Sequence, residues 1–160
     1  MAESPGKAVT REELGQLLDN IPIFGGLSEH QTDFLLSLMR QSSHPDGAQI
    51  FAKGDMASSI YVVISGEVRL DFELPEHPLS DIRFSEGSCF GETSLIGIQS
   101  HSASTYTLGE TLLLSLSGAD LLGLYEDDPD LFGLLILNIA REACRRLHET
   151  DELFLQYVNR

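Results

Sequence analysis

Residues 90–103 hold the side chains best suited to grip a small anion: Phe90-Gly91-Glu92-Thr93-Ser94-Leu95, a short tether, then His101-Ser102-Ala103. A glycine followed by a carboxylate at a helix start leaves backbone N–H groups free for a phosphate. It also supplies an acceptor for a sugar hydroxyl. Gly91 lets a ligand approach bare backbone, and Ser102 adds a hydroxyl and an N–H. The candidate wall is therefore Gly91, Glu92, Thr93, Ser94, His101, Ser102 and Ala103. The helix dipole favours Glu92 at such a position even with nothing bound, so its residue type alone does not separate binding from structure.

Other chemistries find little support. There is no Gly-x-Ser-x-Gly elbow, no Walker-type glycine loop and no paired-histidine helix, so no enzyme activity is expected. The five histidines, at 30, 44, 77, 101 and 148, lie far apart without ligand-like spacing, which argues against a metal site. A histidine such as His77 could serve a haem, but it reads as an exposed loop histidine; no cofactor is assigned. Lys and Arg number 10 against 25 Asp and Glu, a net charge of −15 that repels nucleic acid. The one dense basic cluster, Arg141, Arg145 and Arg146 beside Glu142 and Glu149, reads as intrahelical ion pairing on a solvated face. Cys89 and Cys144 do not make a disulfide framework and read as small buried thiols in a reducing, cytoplasmic compartment. No apolar run is long enough to span a membrane.

These residues need a scaffold, and the hydrophobic period supplies one. Leu14, Leu17 and Leu18 recur at helical spacing within 10–20, after a loose polar tail over 1–9. Pro22 and the Gly25-Gly26 pair break that helix, and Ser28 with Gln31 forms a capping box for a second helix ending near Arg40. His44-Pro45-Asp46-Gly47 is turn chemistry. The period then changes to two: Gln49–Phe51, Ile60–Ile64 and Glu67–Phe72 read as strands, the last two parted by a Ser65-Gly66 turn. Leu74-Pro75-Glu76-His77-Pro78 cannot be a central strand. Ile82–Phe84 is a short strand; Ser104–Thr107 and Thr111–Leu116 are two more around a Gly109-Glu110 turn. Many short strands predict a β-barrel or jelly roll. A helix follows over 118–126, and Asp128 then caps another that carries Pro129 at its first position. Its first two turns are apolar almost all round, and it is long for a small barrel, so a second subunit is expected on the remaining surface. Phe132, Ile136, Ile139 and Ala143 step as a helix–helix seam.

The run from Phe90 to Ala103 resembles the phosphate-binding cassette of the cyclic nucleotide-binding domain family: Phe-Gly-Glu, small or apolar residues, Leu, then Arg-Ala-Ala or Arg-Ser-Ala. Ile21-Pro22-Ile23-Phe24, Leu27-Ser28, Gly47, Gly54-Asp55, Tyr61, Ile64, Gly66 and the proline-started last helix are similar to the family's pattern in order. Ala57 and Ser58 depart mildly from it. The likeness spans roughly Leu14 to Tyr157. It implies a mainly β fold with flanking helices, a double-stranded β-helix or jelly-roll barrel, with N-terminal helices (10–40), barrel (44–117) and closing helices (118–158) as one domain. It implies cAMP or cGMP as ligand, with Glu92 accepting from the ribose 2′-hydroxyl. Transcription factors of this type carry a helix-turn-helix after the long helix, and this sequence stops at Arg160, so no nucleic-acid partner is expected.

The family's phosphate-clamping arginine falls at His101. Arginine supplies two parallel charge-assisted bonds, whereas histidine offers one donor and, with a reference pKa of about 6.5, is mostly neutral at pH 7. Losing one partner of a buried charge pair costs on the order of 2–5 kcal/mol, roughly thirtyfold to several thousandfold in affinity. The expectation is a regulatory module with weak or altered binding of a small anionic ligand, forming a homodimer and acting on a protein effector. The alternatives are a ligand-free dimerisation and interaction module, or a cAMP/cGMP sensor using another countercharge.

Overall fold

The computed structural model describes residues 9–73 and 81–158. Thr10 and Glu13 cap each other reciprocally and start α1 (Arg11–Leu18); Ser28 and Gln31 do the same for α2 (Glu29–Leu38). A 3₁₀ turn, Pro22–Phe24, separates them. Leu14, Leu18, Ile21, Ile23, Phe24 and Leu35 from this segment are buried in the main core.

Among the described residues, six strands make one sheet in which every pairing is antiparallel: β1 (Arg40–His44), β2 (Gln49–Phe51), β3 (Ser59–Asp71), β4 (Ile82–Ser85), β5 (Cys89–Phe90) and β6 (Ser104–Ser117). The order is β1-β6-β3-β4, with β2 also on β6 and β5 also on β3. The long strands β3 and β6 are the spine, and Val63, Val68, Phe90 and Leu113 form a second buried cluster within the roll. Between β5 and β6 lies α3 (Glu92–Ile96); α4 (Gly118–Asp127) and α5 (Pro129–Val158) close the chain.

The elements depart from the sequence expectation in two ways. β1 occupies residues with no alternating apolar pattern, Arg-Gln-Ser-Ser-His; β6 supplies its register from Arg40↔Ser115 to His44↔Thr111, and pairing overrides weak propensity. β3 runs through Ser65-Gly66 without turning back. It takes up the irregularity as register shifts between Val63 and Glu67, with Gly66 at φ 88°. A Cβ at Gly66 would stand 2.6 Å from Thr111 Oγ1, so only glycine fits. β6 likewise continues through Gly109-Glu110. The tail before Val9 and the Leu74–Pro78 segment with His77 lie outside the described residues.

Asp128 accepts from the Leu131 N–H at 2.9 Å and sets the start of α5, whose 30 residues span about 45 Å. Leu131, Leu135 and Ile139 enter the core, and Asn138 donates to the Gly25 carbonyl at 2.9 Å, fastening the helix to the 3₁₀ turn. Ile139, one of the four seam candidates, is thus 3% exposed inside the chain's own core. Phe132 and Ile136 pack partly on that core, and Ala143 is half-buried. The exposed apolar side chains of α5 include Leu137, Leu147, Leu153, Phe154, Leu155 and Val158, 47% to 64% exposed. An apolar period on all sides names no face, and α4 and the 3₁₀ turn make the choice.

Candidate functional site

All seven candidate binding residues line one cavity of about 700 Å³, between the open side of the roll and the second half of α5. Gly91 sits at φ 84°, and a Cβ there would come within 3.0 Å of the Ser59 carbonyl and 3.3 Å of Tyr61. This left-handed residue turns β5 into α3 and brings Glu92 under α5. Thr93 and Ser102 are exposed, Ser94 is half-buried and Ala103 is buried.

Glu92 is wholly buried. Its Oε1 accepts from Arg146 Nη1 at 2.5 Å, while its Oε2 has no hydrogen-bond partner. Arg146 Nη2 donates to the Cys89 carbonyl at 2.7 Å and Nε to Glu142 at 3.0 Å, and the guanidinium lies 5.6 Å from the Phe84 ring centroid. Arg145 bonds Glu142 at 2.6 Å and also pairs with Glu149. Burial pushes the Glu92 carboxyl above its ordinary value of 4.5, opposed by the Arg146 charge; the bond from Arg145 holds Glu142 below that value. Burial beside Glu92 pushes the Cys89 thiol up to about 12, leaving it inert.

The other end of the cavity has a different character. His101 is 5% exposed and stacks on Phe51 with ring centroids 3.5 Å apart and planes 8° from parallel. Its backbone is pinned by two bonds of 2.8 Å: its N–H donates to the Asp55 carbonyl, and its carbonyl accepts from the Gly54 N–H. Burial lowers the imidazole pKa from 6.5, against a smaller opposing effect of Asp55. Phe51 also contacts Phe90, which stacks on Phe84 at 5.3 Å and on Tyr61 at 5.2 Å. His101 is thus part of an aromatic wall.

Sequence reading placed the glycine, carboxylate and hydroxyls together and missed Arg146. The Arg141–Arg146 cluster read as ion pairing on a solvated face; Arg145 does pair within α5, but Arg146 reaches across to β5 and α3. The overlooked signal was a buried carboxylate near a helix of unknown path, since such a carboxylate calls for a cation. Cys144, expected to be buried, is exposed on α5, while Cys89 is buried. Among the described residues no His, Cys, Asp or Glu side chains gather as a metal site, and no helix is long and apolar enough to cross a membrane.

Comparison with known proteins gives consistent relatives. A cyclic AMP receptor protein from Thermus thermophilus is 35% identical over 131 residues, 81% of this chain and 59% of the relative. A putative potassium channel protein from Rhodopseudomonas palustris is 27% identical over 72% of this chain and 28% of its own length. The crystal structure of Thermus thermophilus catabolite activator protein superposes with a TM-score of 0.72 at 35% identity, covering 85% of this chain and 63% of that one. The chain thus spans less than two thirds of the length of these curated relatives. The sequence profile of the cyclic nucleotide-binding domain matches residues 41–128, from the second residue of β1 to the cap of α5 and across the whole cassette. By that match, its relatives and the jelly-roll architecture that carries both, the chain belongs to the cyclic nucleotide-binding domain family.

Proposed function

We propose that this chain is a regulatory module in which the phosphate-binding position has been given over to packing, so that cAMP and cGMP bind weakly near neutral pH. The face-to-face stack of His101 on Phe51 carries this reading. It leaves a neutral, depressed-pKa imidazole where a cyclic phosphate needs a permanent charge. The remaining cassette, Gly91, Glu92 and Ser102, keeps its register on the cavity wall.

Calorimetry with cAMP and cGMP on wild type and His101→Arg tests the proposal. A guanidinium is planar and stacks on Phe51 as the imidazole does, so the change is compatible with the wall. A gain of roughly 2 kcal/mol or more is expected, about thirtyfold. Tight wild-type binding at pH 7.5, or no gain in the variant, would refute it. Since burial lowers the His101 pKa, any rescue by protonation comes only below about pH 6.5.

A second reading, dimerisation for contact with a protein effector, is favoured by a separate observation. Gly133, Leu137, Ala140, Cys144, Leu147, Asp151, Phe154 and Val158 step by fours and threes along α5, and all are exposed. This row replaces the seam suggested by sequence, with Asp151 its one charged member. In a parallel pair each residue meets its counterpart, so Cys144 should cross-link under copper–phenanthroline. Leu137→Asp with Leu147→Asp should yield monomer in sedimentation; wild type that sediments as monomer at tens of micromolar would defeat this reading.

A further inference from the structure

The charged side chains lining the cavity are Glu92, Glu142, Glu149, Arg83, Arg145 and Arg146. Each arginine is already shared between two carboxylates: Arg83 with Asp81 and Glu67, Arg145 with Glu142 and Glu149, Arg146 with Glu92 and Glu142. No lysine is among the described lining residues. A phosphate entering here must draw a guanidinium away from acids that then face the new anion. The protein's overall charge of −15 adds to that opposition.

The rest of the lining suits another chemistry. Phe51 and Phe84 line the cavity beside the His101 ring, with Phe90 buried behind them, and Leu70 and Phe72 extend the apolar wall. Ile82 and Leu153, at the same cavity, are left 37% and 52% exposed. One polar group lacks a partner: Oε2 of the wholly buried Glu92, an acceptor that calls for a donor. Ser94, Ser102 and Thr93 offer further hydroxyls. The volume of about 700 Å³ falls within the range of pockets that enclose small organic ligands.

We infer that this cavity takes an uncharged aromatic molecule bearing a hydroxyl donor, of the ribonucleoside class, in preference to the matching cyclic monophosphate. The inference rests on the reading of this cavity as a nucleotide-type site. The flat ring lies against the aromatic wall, and a sugar hydroxyl donates to Glu92. That oxygen lies beneath the surface, so the hydroxyl reaches it by a small rotation of the Glu92 carboxylate that leaves the other oxygen on Arg146. An uncharged ligand leaves the shared arginines with their carboxylates, whereas the phosphate does not.

The test is calorimetry on the whole chain at pH 7.5 with adenosine, guanosine, their 2′-deoxy forms, cAMP and cGMP. At least one ribonucleoside should bind tenfold or more tighter than its cyclic monophosphate, and removing its 2′-hydroxyl should weaken it about fivefold. Equal or tighter binding of the cyclic form, absence of ribonucleoside binding up to millimolar concentration, or indifference to the 2′-hydroxyl would each overturn the inference. The same series on His101→Arg separates it from the preceding proposal. A gain for cAMP or cGMP there, with no nucleoside bound by wild type, removes only the nucleoside assignment. Nucleoside binding by wild type with no gain in the variant removes only the arginine argument.

Discussion

Two poles of one cavity, nine residues apart in sequence, have been built on opposite principles. At Glu92 the chain keeps a buried charge and satisfies it through Arg146, 54 residues away on α5. At His101 the contact is aromatic, and the ring lies flat on Phe51. A buried charge requires a matched partner at fixed distance, because desolvation is recovered only by good geometry. A stacked ring tolerates any planar, apolar neighbour of similar size. The first pole therefore ties distant elements together, and the second can change identity with little consequence for the fold.

The largest expected effect comes from breaking the charged pole. Arg146→Met leaves Glu92 buried without its cation and should cost about 3 kcal/mol in urea unfolding at pH 7. Glu92→Gln in the same background should restore roughly half. Burial raises the Glu92 pKa, so Glu92 takes up its proton at a higher pH in the folded chain than in the unfolded one. Stability from that shift is present below the ordinary value of 4.5 and lost as pH rises through the folded value. The Arg146→Met penalty should accordingly shrink toward pH 4.5; a pH-independent penalty would mean that packing, not charge, is what Arg146 supplies.

The aromatic pole should respond less and in a different manner. His101→Ala, which empties the place beside Phe51, should cost about 1–3 kcal/mol, while His101→Phe should stay within about 1 kcal/mol of wild type. A large loss in His101→Phe would show that an imidazole nitrogen, not the ring face, holds this end together.

A smaller effect concerns pH. Burial lowers the pKa of both His101 and His44, so the unfolded chain takes up protons near pH 6.5 that the folded chain does not. Stability from these two groups is full above that pH and falls below it. Thermal midpoints should drop from pH 7.5 to 5.5, and by less in His101→Phe. Thiol labelling sharpens the contrast least in energy but most directly in place. In the monomeric Leu137→Asp, Leu147→Asp variant Cys144 should react with Ellman's reagent at once, whereas Cys89, with its pKa pushed up to about 12 and its carbonyl held by Arg146, should react only on unfolding.

The sequence by itself determined what depends on neighbours along the chain. The caps at Ser28 and Asp128 and the glycine turn before Glu92 are local, and each held. The grouping of Gly91, Glu92, Ser94, His101 and Ser102 on one wall was legible for the same reason, since one short helix and one tether carry them all. Tertiary structure decided what depends on partners far away. Polar Arg40–His44 is a strand only because β6 lies beside it. Ile139 faces inward because a helix apolar on every side takes its orientation from whatever packs against it. Arg146 becomes the partner of Glu92 because α5, held at its start by Leu131, Leu135 and Asn138, has only one direction in which to extend. A charge pair across 54 residues leaves no periodic trace in the sequence, because its distance is set by the path of a rigid helix.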